Sequence, residues 1–562
     1  MVGLLDRPSS LAPPSVLPDI SPSRGEIGRH LRFRQFSTPN EKRRSSELPI
    51  SPLAGGEEWS AQRTESQLLG FPNDERPERR RRAGSGRTEG GAAGCRHLSL
   101  ALLLTAVSLV LPAPACAHAS DQGHVLLLPT GYYLVGGAFA VAISFLVLAL
   151  LPAASLDRFW RRRLPLFTFG DSARAAISLI SFAGFAILIA AGLFGSRDPL
   201  SNPLPLLIWT LMWAGLTLLQ GVFGDLWSWL NPWYGPWRLI SRLLRAGDEG
   251  IPRLPRWLGC WPAFILFFAF AWFELIDPAP DDPARLAYAA GFYWLLTLIA
   301  MLAFGYRGWS RGGEFLTVFF SMVARFAPIE RNDAGRLALC WPGAKLLAAE
   351  PLPPSGIAFL LLALSSVSFD GLSKTFFWLG LFGINPLEFP GRTALIGSGT
   401  FGLILTFALL AAVFLLAVWL GQRLAGSDHI LNQAAGQLVW SIVPIALAYH
   451  IAHYLTALLV DGQYALAALS DPFAMGWNLF GTADMQIEAG IVAGADSAWW
   501  LWNIQAGAII LGHVLAVLVA HGFAWRLHPQ PSRAALSQFP LTLLMIAYTV
   551  FGLWLLATPT VG

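Results

Sequence analysis

The chain has 562 residues, of which 54% are hydrophobic and only 13% are charged, against a charged fraction of about 25% in soluble domains. A chain this apolar is not expected to dissolve as a globule, and its 23 tryptophans and 37 phenylalanines suit lipid-facing surfaces and interfacial belts. The net charge of +4 gives no support to a nucleic-acid-binding role. The 4 cysteines include no CxxC pair, which argues against a thiolate metal site or a redox motif.

The N-terminal segment 1–95 differs in composition from the rest of the chain. It is rich in Arg, Ser, Pro, Gly and Glu, it has no sustained apolar period, and it contains consecutive arginines at 79–82. Such a segment buries too little apolar surface to fold, so it is predicted to be disordered. Because an export signal follows directly, we favour the interpretation that translation starts downstream and that this segment is an untranslated leader. A basic arm that binds RNA or anionic lipid is the alternative.

Residues 96–117 have the pattern of a signal peptide. A basic pair precedes an apolar run at 98–111, which is too short to span a bilayer comfortably, and small residues end the segment. Cleavage after Ala117 would leave His118 as the mature N-terminus, and its amine and imidazole would suit copper. The remaining residues, 118–562, form the predicted transmembrane helical domain.

Ten apolar segments follow, each near the length of about 20 residues that a helix needs to cross the hydrocarbon core. They are continuously apolar rather than alternating, and a helix satisfies its own backbone hydrogen bonds in lipid. The predicted fold class is therefore all-α, a polytopic transmembrane helix bundle with about ten spans. The predicted spans are 131–152, 173–195, 203–224, 257–276, 285–305, 355–382, 397–421, 436–460, 499–523 and 538–557.

The loops between these segments alternate in charge. Loops after odd-numbered segments hold most of the Lys and Arg, whereas the others are poor in both and carry acids, as at 277–282 and 461–498. This is the positive-inside pattern of a protein in a bacterial inner (plasma) membrane whose mature N-terminus is periplasmic. The lipid bilayer is therefore the first expected partner.

Two predicted cytoplasmic stretches look interfacial. Residues 225–244 contain four tryptophans interrupted by Asn-Pro and Gly-Pro, and residues 313–326 are apolar but short. Both are predicted to lie along the membrane surface. A re-entrant half-helix is the alternative for the second stretch.

Three histidines within predicted spans are candidate metal ligands, because ionisable groups in a membrane are costly. His450 and His453 are three residues apart, which places their Cβ atoms about 5–6 Å from each other on one helix face. His513 lies at a similar predicted depth in the next span. Together the three imidazoles could bind one divalent transition metal, Zn or Cu, or handle protons. Interhelical hydrogen bonding, or exposure to a water-filled vestibule, is the alternative. His521 lies about 12 Å deeper and cannot join the same site.

Asp370 is the candidate catalytic residue. It lies in the middle of the sixth predicted span, on a polar stripe with Ser366, Ser373 and Lys374. It could be a fourth metal ligand, a proton acceptor or a general base. Alternatively, the Asp–Lys pair, four residues apart, only neutralises itself in part.

A long acidic segment, 461–498, follows the eighth span. A loop of this length could form a lid over a cavity that opens to the periplasm, and Glu274 could line the same vestibule. Alternatively, the segment is an ordered loop that only caps the helices.

Three stretches carry a family resemblance. They are His450-Ile451-Ala452-His453-Tyr454 continuing through Asp461-Gly462-Gln463, Ser470-Asp471-Pro472-Phe473 and Gly476-Trp477-Asn478-Leu479-Phe480-Gly481-Thr482-Ala483, then Gly512-His513-Val514 with Ala520-His521, and finally Ala117-His118. In these stretches the chain resembles the bacterial membrane proteins named fenitrothion hydrolase, and the resemblance covers about residues 118–557. It implies a membrane-bound organophosphate hydrolase that cleaves an aryl phosphotriester, which is a small apolar substrate. A metal-bound hydroxide could attack phosphorus if the histidines and Asp370 held the metal.

Three functions therefore compete. A metal-dependent phosphotriester hydrolase needs a catalytic water in an open metal position, whereas a transporter or metal-handling permease needs access to the same His and Asp residues from both sides. A structural subunit bound to another membrane protein would use those residues as interhelical contacts. A continuous row of polar residues from His450 to His521 would favour a transport path.

Overall fold

A computed structural model describes residues 130–150, 160, 162–168, 173–244, 254–331, 336–388, 391–427, 431–492 and 494–560 of the chain. All of these residues belong to a compact unit that extends over Ala119–Gly562. The predicted leader, the predicted signal peptide and His118 lie outside the described residues.

The described part of the chain is almost entirely helical, as the apolar segments predict. In chain order its helices are α1 Thr130–Leu150, α2 Arg174–Phe194, α3 Pro203–Phe223, α4 Trp227–Leu230, α5 Tyr234–Leu243, α6 Trp261–Leu275, α7 Pro283–Phe304, α8 Tyr306–Gly312, α9 Phe315–Ala324, α10 Ala344–Leu347, α11 Pro354–Ser373, α12 Phe376–Leu381, α13 Arg392–Leu424, α14 Leu431–Ser470, α15 Ala495–Leu527 and α16 Pro531–Ala557. Short 3₁₀ turns lie at Arg256–Leu258, Pro386–Glu388 and Ala489–Val492, and another interrupts α14 at Val439–Ser441.

Nine helices among the described residues are long and apolar enough to cross a membrane: α1, α2, α3, α7, α11, α13, α14, α15 and α16. They coincide with nine of the ten predicted spans, so the all-α polytopic fold is confirmed. The fourth predicted span corresponds to α6, which has only 15 residues. A helix of that length rises about 22 Å, which is less than the thickness of a hydrocarbon core. Among the described residues nine helices therefore have the length of a span, and α6 is a shorter apolar helix that leads from Ser355, at the start of α11, to the neighbourhood of Asp370 near its end.

Polar caps fix where two spans begin at one end of the bundle. The Asn202 side chain accepts a hydrogen bond from the Leu204 N–H at the start of α3, and Asp282 accepts one from Arg285 at the start of α7. A proline occupies the first turn of each helix, where no backbone donor is needed. We call this end, where α11 finishes at Ser373, the Lys374 end.

A small antiparallel sheet lies at the opposite end, and the sequence analysis did not predict it. Its strands are β1 Arg163–Thr168, β2 Ile329–Arg331 and β3 Arg336–Cys340, in the order β1-β3-β2. An ion pair of 2.5 Å between Arg163 Nε and Glu330 Oε2 joins the two outer strands. The strands are only three to six residues long, so they give no clear alternating pattern.

The position of α9 differs from the prediction for this stretch. The stretch 313–326 was predicted to lie on the membrane surface, but eight residues of α9 are buried within the protein, including Phe315, Phe319 and Phe320. A helix that is apolar on all sides is buried rather than interfacial. By contrast, α5 leaves Leu239 and Leu243 exposed, as a helix at the membrane surface requires.

Opposite charges cap the two ends of α9. At its N-terminus the Glu314 carboxylate accepts hydrogen bonds from the backbone of Leu316 and Thr317 at 2.9 and 2.6 Å. Beyond its C-terminus, Lys345 Nζ donates to the Ala324 and Ile329 carbonyls at 2.6 and 2.7 Å. Both charges complement the helix dipole and satisfy terminal backbone groups. Burial nevertheless lowers the pKa of Lys345 from 10.5 to about 8.

The lowered pKa of Lys345 predicts how stability changes with pH. Between about pH 8 and about pH 10.5 the unfolded chain keeps a proton on Lys345 that the folded chain has lost, so raising the pH stabilises the fold, by at most about 1.4 kcal/mol per pH unit. The variant Lys345→Met should lack this contribution. Thermal unfolding in detergent at about pH 7.5 and about pH 9.5 measures the difference.

A matched control for this prediction is Arg307→Met, which removes an exposed cation from α8. It should keep the pH dependence of the wild-type protein. An identical pH dependence in wild type and Lys345→Met would contradict a buried, proton-releasing Lys345.

Candidate functional site

Asp370 is the centre of an ionic network in the last turn of α11. Its side chain is only 8% exposed, and each carboxylate oxygen has its own partner: Lys374 Nζ lies 2.9 Å from Oδ1 and His453 Nε2 lies 2.5 Å from Oδ2. The Lys374 side chain is 54% exposed and that of His453 is 27% exposed. The network therefore runs from a buried carboxylate to the exposed Lys374 end of the bundle.

A second carboxylate lies close to the first. Glu274 on α6 accepts a hydrogen bond of 2.8 Å from the Tyr454 hydroxyl, and its side chain interacts electrostatically with Asp370. Because Tyr454 follows His453 directly in α14, one segment of that helix contacts both acids. We call Glu274, Asp370, Lys374, His453 and Tyr454 the Asp370 cluster.

An 11-residue π-helical segment, Leu206–Leu216, connects α3 to this cluster. Its Trp213 donates from Nε1 to the Tyr454 hydroxyl at 3.0 Å, and its backbone carbonyl accepts from His450 Nε2 at 2.9 Å. π-helical turns are rare and are frequent at functional sites. Here the π-helix presents one tryptophan to two neighbouring turns of α14.

His450 and His513 are each hydrogen-bonded to a backbone carbonyl rather than to the cluster. His450 uses Nε2 for the Trp213 carbonyl, while His513 uses Nδ1 for the Ile509 carbonyl one turn earlier in α15, at 2.8 Å. The ring of His513 neighbours Tyr449 and Tyr548, at centroid distances of 6.1 and 6.3 Å. The hydrogen bond of His450 therefore agrees with the alternative that these histidines serve as interhelical contacts. His513 lies in a separate polar group.

The residues predicted to hold a metal are thus only partly brought together. Asp370 and His453 are in direct contact, but His450 and His513 have other partners. Among the described residues, no three His, Cys, Asp or Glu side chains are placed to hold one metal ion. We therefore derive no chemistry through a metal, and metal binding by His450, His453 and His513 stays a prediction.

His521 forms a further polar group, toward the end of the bundle that carries the sheet. Its Nδ1 lies 2.8 Å from the Gln538 side-chain oxygen, and its Nε2 accepts from Trp525 Nε1 at 2.8 Å. As expected from its distance along α15, it does not join the Asp370 cluster.

Two residues of the site were not singled out by the sequence analysis: Trp213 and Tyr454. A tryptophan and a tyrosine in the middle of an apolar span look like ordinary core or lipid-facing residues. The only available signal was that Tyr454 adjoins His453. The π-helical geometry that positions Trp213 has no sequence signature.

The segment that follows α14 is an ordered cap at the Lys374 end. The helix itself continues to Ser470, ten residues past the predicted end of the span. The Ser470 carbonyl and hydroxyl accept the N–H groups of Leu479 and Phe480, and Asn478 accepts from Ala483 and from Ser470. These hydrogen bonds support the interpretation of an ordered loop that caps the helix.

Comparison with known proteins gives no family assignment. No family model, no curated protein and no solved structure matches this chain.

Energetic coupling between Asp370 and His453 can be predicted from their short contact. Removing either partner alone weakens or breaks the hydrogen bond of the other, so Asp370→Asn and His453→Gln should each lower thermal stability in detergent. The free energy of unfolding lost in the double variant should be smaller than the sum of the losses in the two single variants, by about 0.5–3 kcal/mol.

The matched control for this cycle is Asp277→Asn combined with His453→Gln. Asp277 is a buried carboxylate at the same end of the bundle, but its partner is Arg285, at 2.6 Å. These two changes should be additive. If the losses were additive in the Asp370–His453 double-mutant cycle as well, the contact would contribute no coupling energy.

Proposed function

We propose that this chain is a proton-handling membrane transport protein and that the Asp370 cluster is its proton-binding site. The observation that carries the proposal is the pairing of one buried carboxylate, Asp370, with both a lysine and a histidine at the end of a membrane-spanning helix. Ionisable groups in spanning helices are costly, and they are characteristic of proton relays and ion pathways.

The chemistry of the pair supports reversible proton uptake. In the neutral imidazole, Nε2 carries the hydrogen that faces Asp370, so Nδ1 is free to accept a proton. No described protein group hydrogen-bonds to Nδ1, and the ring is partly exposed. A proton taken from water at Nδ1 gives an imidazolium that Asp370 stabilises. Asp370 then shares its charge between two cations, which weakens its hold on Lys374.

The linked Glu274 and Tyr454 extend this coupling to a second helix pair. Their hydrogen bond ties α6 to α14, and Trp213 ties α3 to the same hydroxyl. A change of charge on His453 therefore acts next to contacts among α3, α6, α11 and α14. Coupling of a protonation event to helix packing is what proton-driven transport requires.

The proposed orientation follows from the charge of the loops. With basic loops in the cytoplasm, the Lys374 end would face the periplasm of a bacterial inner membrane. The small molecule or ion moved together with the proton would enter from that side. A partner protein is not required by this mechanism.

A pH-jump measurement tests the proposal without knowledge of the substrate. Reconstituted protein on a solid-supported membrane should give a transient current when the pH is stepped, because proton binding displaces charge. Asp370→Asn should reduce that current at least tenfold, since it removes the group that stabilises the imidazolium. Asp277→Asn, which alters a buried carboxylate outside the cluster, should keep it. Equal currents in wild type and Asp370→Asn would contradict the proposal.

A second candidate is the phosphotriester hydrolase implied by the family resemblance. The specific observation in its favour is the same dyad, because a histidine oriented by a buried carboxylate is the usual arrangement of a general base for water attack. Lys374 and Arg392, which bonds to the Glu274 carbonyl at 2.7 Å, supply positive charge nearby.

Hydrolysis of a nitrophenyl phosphotriester by the purified protein tests this candidate. If His453 is the base, His453→Gln should lose about 100-fold or more in rate, while Asp277→Asn should stay active. The metal-dependent form is tested separately by elemental analysis. It predicts about one transition metal per chain, lost in His450→Ala/His453→Ala. Hydrolysis absent from the wild-type protein would exclude this candidate for such substrates.

A further inference from the structure

The loop that follows α14 exposes a concentrated group of large apolar side chains. Met475, Trp477, Leu479 and Phe480 are each between 42% and 72% exposed. Single apolar residues on a protein surface are ordinary, but a concentrated group of them marks a surface that contacts another molecule or a membrane. We call residues 475–480 the apolar tip.

Hydrogen bonds hold the backbone of the apolar tip in a conformation that leaves its side chains outside. The Asp471 carboxylate accepts the N–H groups of Met475 and Gly476 at 2.9 and 2.8 Å. The preceding residue, Ala474, has a φ of 54°, in the left-handed region that a residue with a Cβ enters only at a cost in free energy. The surrounding hydrogen bonds offset this cost, so the loop is built to present its apolar side chains outward.

Contacts of the residues just before the apolar tip place it level with the ends of neighbouring spans. Leu469, near the end of α14, packs against the apolar cluster that contains Leu204 and Leu286, in the first turns of α3 and α7. The carbonyl of Pro472 lies beside Gly195, directly after the end of α2, where an added Cβ would approach it to 3.1 Å. Because spans end where the hydrocarbon core ends, the apolar tip lies at the boundary between lipid and water.

The composition of the loop indicates what kind of surface it meets. Residues 471–494 include three acids and no Lys or Arg, so attraction to an anionic partner is not available to them. Trp, Phe, Leu and Met are instead the side chains that enter the interfacial region of a bilayer. The first two turns of α15, which follow the loop, also expose Trp499 and Trp500, as an aromatic belt does.

We propose that the apolar tip inserts into the interfacial region of the lipid bilayer and anchors the C-terminal end of α14 there. The rest of the loop is tied to this helix, because the Thr482 hydroxyl donates to the Leu466 carbonyl at 2.7 Å and the Gln463 side chain accepts the Glu488 N–H at 2.9 Å. The anchor thus fixes the depth of the helix that supplies two members of the Asp370 cluster. It stands on the loop alone and does not depend on the proposed function.

Site-directed spin labelling of the protein in phosphatidylcholine nanodiscs tests the anchor. The label is attached at Phe480→Cys, with the native cysteines replaced by alanine, and its collisions with oxygen and with a water-soluble nickel chelate are compared. Oxygen concentrates in lipid, so the ratio of oxygen to nickel collisions should be several-fold higher at 480 than at Gln486→Cys, an exposed polar position of the same loop. Equal ratios would overturn the anchor. Protection of position 480 from both reagents would also overturn it, because a second copy or another protein would then cover the apolar tip.

A second labelling experiment tests whether the apolar side chains themselves hold the loop in the lipid. With the label at Met475→Cys, the double change Leu479→Asn/Phe480→Asn should increase collisions with the nickel chelate several-fold, because amide side chains favour water. The matched control Gln486→Asn should leave them unchanged. Both variants should keep the thermal stability of the labelled protein in detergent, since the altered side chains are exposed. Unchanged collisions in Leu479→Asn/Phe480→Asn would contradict the proposal.

Discussion

The constraint on which the architecture of the site depends is the cost of an unpaired charge in an apolar bundle. Asp370 is almost fully buried, and it is tolerated because Lys374 and His453 each contact one of its oxygens. Removing one partner of such a group is far costlier than the pair is favourable, so the three side chains must be kept together. The contact between α11 and α14 at Asp370 and His453 meets this requirement.

The same constraint organises the other polar groups. Glu314 is buried and Lys345 is half-buried at opposite ends of α9, where each charge meets terminal backbone groups of the helix. His450 donates a hydrogen bond to the backbone carbonyl of Trp213 in the π-helical segment.

Much of the fold could be predicted from the sequence. Long apolar runs fix where a helix crosses the bilayer, so nine predicted spans agree with observed helices, mostly within a few residues at their ends. Helix α6 differs because it begins only at Trp261, after Gly259 with its positive φ, and ends at Leu275, whereas hydropathy averages over such local limits. The sheet was missed because strands of a few residues carry almost no periodic signal.

The site was predictable only in part, because the sequence does not give the rotation of each helix about its own axis. Sequence position shows which ionisable residues lie within a span, and Asp370 and His453 were selected on that basis, although Asp370 lies in the last turn of α11 rather than in the middle of the predicted span, because α11 ends at Ser373. It does not give the rotation of one helix against another, which depends on packing details such as the close approach of Gly512 to Ala448. His513 therefore shares the depth of His450 without sharing its site. The π-helix at Trp213 adds a local rotation that no spacing rule contains.

Nitrogen NMR of the histidine side chains tests the central claim, the Asp370–His453 hydrogen bond, most directly. In the ¹⁵N-histidine-labelled protein in lipid, one imidazole should show a strongly hydrogen-bonded Nε2–H. Asp370→Asn should shift that resonance. Asp277→Asn should leave it unchanged. A spectrum in which Asp370→Asn alters no histidine resonance would contradict the account.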